Sequence, residues 1–354
     1  MKTIILEKPG SFAEIQRQSP NAKNLKPDEA LVRIRKIGIC GTDYHAFKGN
    51  QPFFTYPRVL GHELGVEVLA VGGDVENVQP GNLCAVEPYL SCGSCIACRN
   101  GKTNCCVNMQ VLGVHRDGGL CEEMILPADK LHSSAKLSLE QLALVETLGI
   151  GAHAVYRGNV SARDTVLVIG AGPIGLSVIQ FARLSGARTI VFDLNADRLA
   201  FVKKNFGIEE VIGPGSDAWA SSERSERPAE DAEKKLLELT NGELATAVFD
   251  ASGHPASMDK SFHFVSHGGR LVFVGLHQGN VSFPDPLFHR REMTVLGSRN
   301  ALPGDFRKII SGMEAGAIDT RPWITHRAAF SDMIPAFDTW LKPESRVIKA
   351  MVEI

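Results

Sequence analysis

Over much of the chain, apolar residues fall into short runs punctuated by glycine, and those runs define its organisation. From residue 165 the sequence reads TVLVIGAGPIGLSVIQFARLSGARTIVFDLN. TVLVI is a β-branched run that predicts a buried strand, and Ile174, Val178 and Phe181 then recur at helical spacing. A second strand, TIVFD, follows. ATAVFD (245–250) and RLVFVG (270–275), each flanked by helical patterns, extend the alternation and predict a doubly wound parallel sheet. The segment from Ser216 to Thr240 is dense in charge and predicts a solvated loop leading into an amphipathic helix around residues 229–239.

Between the first strand and its helix stand Gly170, Gly172 and Gly175 as GxGxxG. The first glycine permits the turn, the second lets a pyrophosphate approach the backbone, and the third allows helix to pack on strand. The helix N-terminus, at Pro173 and Ile174, then faces the phosphates. Asp193 ends the second strand eighteen residues past Gly175, near the offset of about 20 at which an acid hydrogen-bonds the adenosine ribose. Such an acid would repel a 2′-phosphate, which favours NAD over NADP, while Arg198 nearby softens that preference.

Chemistry enters at SCGSCIACRNGKTNCC, residues 91–106, which holds five of the eight cysteines. Cys92, Cys95 and Cys98 recur every third residue and Cys106 follows; Cys105 is the spare. Four thiolates on one short lobe suit a tetrahedral zinc ion with no open position, a structural site that contributes folding energy. Cys84 and Cys121, isolated in expected strands, read as buried small residues. A second group of metal-ligand types lies apart: Cys40, Thr42 and His45 in IGICGTDYH, His62 and Glu63 in VLGHELG, and Glu146 at the end of an apolar stretch. A buried unpaired carboxylate there would be costly, and a metal would compensate it. Spacing alone does not join residues 40, 62 and 146.

Length and composition set limits on these readings. A chain of 354 residues exceeds what one hydrophobic core supports, so two domains are expected. With 44% hydrophobic and 22% charged residues it reads as globular, and a net charge of −2 argues against nucleic-acid or anionic-membrane partners. The start, MKTIILEKPGSF, lacks the apolar run of a signal peptide, so a cytoplasmic setting with reduced thiols is expected.

The ordered set Cys-x-Thr-x-x-His (40–45), Gly-His-Glu (61–63), the four-cysteine lobe and GAGPIG resembles the zinc-dependent medium-chain dehydrogenases, the family of alcohol, sorbitol and threonine dehydrogenases. GNQPFFTYPRVLGHE, VLGVHRDGG, FPDPLFHRRE and LGSRNA look like its bacterial sugar-acid branch. The resemblance implies an α/β fold: a GroES-like β-rich catalytic domain from 1–150 and 290–354, and an NAD-binding Rossmann domain from 151–289. It places the active site in the cleft between them. It implies two zinc ions per subunit, one structural and one catalytic. Cys40 and His62 would ligate the catalytic zinc, with Glu63 and Glu146 completing the coordination directly or through water. Thr42 would take the substrate proton and His45 would pass it outward. Arg299, then Arg116, would pair with a substrate carboxylate, and His115, Phe53 and Phe54 would wall the pocket.

The family also implies a homo-oligomer, dimer or tetramer. Two departures stand out: Val66 where the signature usually has glycine, and Thr147 where proline commonly follows the second acid. Either could shift a ligand loop. The expected activity is hydride transfer to NAD from a secondary alcohol of a sugar acid. The alternatives are a polyol or L-threonine dehydrogenase and, in another class, an inactive zinc- and nucleotide-binding regulator.

Overall fold

A computed structural model describes residues 1–52, 54–213 and 227–354. Phe53 and the charged loop expected from residue 216 to 226 lie outside the described residues. The chain divides into two compact units, Met1–Gly149 with Asn300–Ile354, and Ile150–Arg299.

In the second unit six strands pair in parallel, in the order Val211–Ile212, Arg188–Phe192, Thr165–Ile169, Ala245–Asp250, Val265–Phe273 and Thr294–Gly297. In chain sequence this is the 3-2-1-4-5-6 order of a Rossmann sheet, whose direction of winding reverses beside Thr165–Ile169. The strands bury both faces. Leu167, Ile169, Ile190, Val248 and Leu271 join Phe262 and Phe264 in one core, as continuous apolar runs covered by helices should. The amphipathic helix expected near residues 229–239 spans Arg227–Leu239.

The boundary expected at residue 290 is corrected. Thr294–Gly297 pairs with Val265–Phe273 in the register Arg270↔Thr294, so residues 290–299 belong with the second unit. This short, weakly apolar strand is recruited by its neighbour's open edge. Arg270 pins the opposite side of the same sheet: its guanidinium donates to the carbonyls of Gly158, Asn159 and Thr246 and to Asp164 Oδ2 at 2.9 Å.

The first unit centres on a seven-stranded sheet. Its long middle strand, Glu29–Ile39, pairs antiparallel with Glu63–Val71 on one side, and with Lys349–Glu353 and Glu123–Pro127 on the other. Val32, Ile34, Ile37, Leu64 and Val66 lie in its core with Phe337 from the Met333–Trp340 helix. The C-terminal segment therefore completes this sheet. Val66 sits inside the strand and takes a fully buried core position. The glycine that matters is its neighbour: a Cβ on Gly65 would collide with the carbonyl of Leu139. Cys84 is buried in a strand, whereas Cys121 is buried at an isolated bridge to Thr3; burial pushes both thiols up to about 12.

Candidate functional site

Strand register brings the distant residues of the open site together. Gly38 pairs with Glu63, so the end of one strand lies beside the start of the next. Cys40 leaves the first strand and opens the Gly41–Phe47 helix, where its backbone N–H donates to Asp43 Oδ2 at 2.9 Å. As a result, ligand atoms of Cys40, His62 and Glu63 all lie within 4.8 Å of one another. Gly38 makes the room, since a Cβ there would collide with the Glu63 carboxylate.

This pocket is dry. Glu63 is 0% and His62 5% exposed, and His62 Nδ1 and Asp43 Oδ1 are buried without a hydrogen-bond partner. Burial opposes charge on His62, yet Cys40 and Asp43 raise its imidazole well above the ordinary value. Burial alone would also push the Glu63 carboxyl up. Lys349 and His62 instead hold it below the usual carboxylate range. Glu146 is buried in the first turn of the Val145–Arg157 helix, and Tyr89 donates its hydroxyl proton to Glu146 Oε1. Burial raises this second carboxyl against the pull of His62 and with the push of Glu63. Glu146 falls outside the Cys40, His62 and Glu63 set. Crowded thiol, imidazole and carboxylate groups with orphaned polar atoms among them fit a zinc ion, whose usual donors are these three types.

The four-cysteine lobe fits zinc more tightly. Sγ atoms of Cys92, Cys95, Cys98 and Cys106 lie within 4.8 Å of one another, while Cys105 is exposed and outside the group. Cys95 Sγ is 3.5 Å from Cys98 Sγ and 3.9 Å from Cys106 Sγ. A tetrahedron of sulfurs about 2.3 Å from zinc has edges of about 3.8 Å, so these spacings match. Backbone and side-chain hydrogen bonds from Ser94 lower the Cys92 thiol to about 5, whereas burial and its neighbouring thiol raise Cys98 to about 11.

In the second unit, Gly170 adopts φ +92 and the Pro173–Leu184 helix starts just beyond Gly172. A Cβ on Gly175 would collide with the Gly170 carbonyl, which explains the third glycine. Asp193 Oδ2 accepts from Ala171 N at 2.6 Å, and Oδ1 accepts from Asn195 N at 2.7 Å. The acid thereby ties the second strand to the glycine turn. Arg198 Nη1 stands 3.7 Å from Asp193 Oδ2.

Other expected residues are more dispersed. Thr42 is half-buried two residues after Cys40, and His45 is exposed with Nδ1 3.0 Å from Asn50 Oδ1. In the first unit, His115 Nδ1 accepts from Val111 N, Arg116 is exposed, and Phe54 packs against Tyr56. Arg299 is exposed in the second unit. Sequence reading missed Lys349 and Tyr89, the partners of the two buried acids. A lysine inside the apolar run VIKAMV was the available signal for Lys349.

Comparison with known proteins defines the class. The alcohol dehydrogenase GroES-like domain matches residues 26–136 and the zinc-binding dehydrogenase domain matches residues 173–315. The chain belongs to the zinc-type medium-chain dehydrogenases, oxidoreductases whose cofactors are zinc and NAD. It is 37% identical to L-galactonate-5-dehydrogenase of Escherichia coli K12 over 352 residues, covering 99% of this chain and 98% of that one. It is 33% identical to L-idonate 5-dehydrogenase of Vitis vinifera, with 89% and 86% covered. Its fold matches the alcohol dehydrogenase RspB of Escherichia coli CFT073, solved with NADH, at a TM-score of 0.88 and 29% identity, over 100% of this chain and 99% of that one. Among the described residues, no helix is long and apolar enough to cross a membrane.

Proposed function

We propose that the protein oxidises a secondary hydroxyl of a sugar acid resembling L-galactonate, passing hydride to NAD. The observation that carries this reading is the convergence of half-buried Cys40 with buried His62 and Glu63, the donor set of a catalytic zinc. Two relatives named for sugar acids, L-galactonate and L-idonate, support the substrate class.

Cys40, His62 and Glu63 would hold the catalytic zinc, with Glu146 acting through water, and Cys92, Cys95, Cys98 and Cys106 the structural one. When bound, zinc supplies a Lewis acid that lowers the pKa of the substrate hydroxyl, and NAD supplies the hydride acceptor. Thr42, half-buried on the first turn after Cys40, would accept the hydroxyl proton, and exposed His45 would exchange it with water. The burial of His62 and Glu63 lowers their exposure to water and so strengthens the charge interactions they make. Gly170, Gly172, Pro173, Ile174 and Gly175 would hold the pyrophosphate of NAD, and Asp193, with Arg198 beside it, would hold the adenosine ribose. We assign the protein to the cytoplasm as a homo-oligomer on the family's pattern.

Arg299 is the group proposed to pair with the substrate carboxylate, with Arg116 and His115 as further contacts. Arg299→Ala is expected to raise KM for an aldonate about 10- to 100-fold while leaving KM for a neutral polyol nearly unchanged. Equal effects on both would remove Arg299 from substrate recognition. Asp193→Ala is expected to raise KM for NAD at least about tenfold and to narrow the preference over NADP, read from initial rates with each coenzyme.

A further inference from the structure

The metal pocket contains a cation of its own. Lys349 Nζ lies 2.6 Å from Glu63 Oε1 and 2.7 Å from Oε2, and it donates to the Ile39 carbonyl at 3.3 Å. Lys349 is 1% exposed and Glu63 0%. The sheet register explains the meeting. Gly38 on the central strand pairs with Glu63 on one side and Met351 on the other, so the three share a face. Lys349, two residues before Met351, points the same way. The missing side chain at Gly38 leaves the gap through which acid and ammonium touch.

Cys40, Asp43 and Glu146 lie close enough to act on the charges of this pocket. Without Lys349, His62 alone would offset these acids and the thiol, and a buried carboxylate left short of a partner is costly. We propose that Lys349 is a positioning residue and the pocket's resident counter-ion. It keeps Glu63 in place when no metal is bound, and it competes with an incoming metal for that carboxylate. Because Lys349 engages both oxygens of Glu63, a metal ion must share either oxygen with an ammonium group and be repelled by it. Lys349 therefore stabilises the metal-free chain and weakens metal binding, two aspects of one linkage. The inference rests on the reading of Cys40, His62 and Glu63 as the zinc pocket.

The test uses Lys349→Met in the full chain, close in shape and uncharged. Wild type and variant are compared zinc-loaded, and again after dialysis against a chelator weak enough to leave the four-cysteine zinc in place. The stripped variant is expected to melt about 10 °C below stripped wild type, with most of the difference removed by zinc. Competition with a chromogenic chelator should show zinc bound at least about tenfold more tightly by the variant. The double variant Glu63→Gln with Lys349→Met, which removes both charges, should recover the stripped chain's stability.

An equal loss of melting temperature with and without zinc, or weaker zinc binding, would overturn the proposal. If Lys349→Met yields no folded protein, folding of the double variant supports charge compensation, and failure of both overturns it. The zinc content of wild type separately tests the pocket itself: two per chain is required, and one would remove the pocket reading whatever Lys349→Met does.

Discussion

His62→Ala is expected to lower kcat/KM by about a thousandfold or more and to reduce the zinc content from two ions per chain to one, without loss of the fold. A Lewis acid supplies several kcal/mol of charge stabilisation at the reacting oxygen, and about 4 kcal/mol corresponds to a factor of about a thousand. The fold should survive because His62 sits at the rim of the Glu63–Val71 strand, and the ladder with Glu29–Ile39 does not use its side chain. Zinc analysis, circular dichroism and steady-state kinetics on one preparation check all three parts. A variant that kept two zinc ions and lost activity would point to a role for His62 other than ligation.

Cys98→Ser should act on a different axis. The lobe around residues 91–106 has little apolar burial of its own: Ile96 is 61% and Val107 71% exposed, and only short helices and two-residue strands stiffen it. Its order therefore depends on the metal, since binding energy at such a site is folding energy. Zinc should again fall to one per chain, and the melting temperature by about 10 °C or more. Turnover per folded chain, measured well below the transition, should remain close to wild type. A thermal scan with parallel metal analysis reads this out. Loss of turnover with unchanged melting would contradict a structural role.

The two variants separate what the sequence makes visible from what it hides. The lobe and the glycine turn are legible because each is local: four thiols within fifteen residues, and a strand, turn and helix within twenty. The parallel sheet follows from its apolar runs for the same reason. Thr294–Gly297 escaped because a short exposed strand has no pattern of its own and is recruited by Val265–Phe273. The open site is legible as a list of residue types but not as a place. Cys40 meets His62 and Glu63 through the register that sets Gly38 opposite Glu63, and register is a property of paired strands. Lys349 is 286 positions from Glu63, and only the pairing of the last strand with Glu29–Ile39 brings them together. Tyr89, 57 positions from Glu146, was hidden in the same way. The two departures from the family signature also resolve unequally. Val66 is absorbed into the core, and Thr147 is fully buried at the position where proline is common.

Initial-rate NADH formation from NAD, on L-galactonate, L-gulonate and D-gluconate beside sorbitol, xylitol and L-threonine, tests zinc-dependent oxidation of a sugar acid most directly. Each rate is measured before chelation, after it, and after zinc is restored. Turnover of one aldonate well above every neutral substrate, lost on chelation and regained with zinc, is the expected result. Turnover that survives removal of both zinc ions, or silence on every acid with turnover of a polyol, would contradict it.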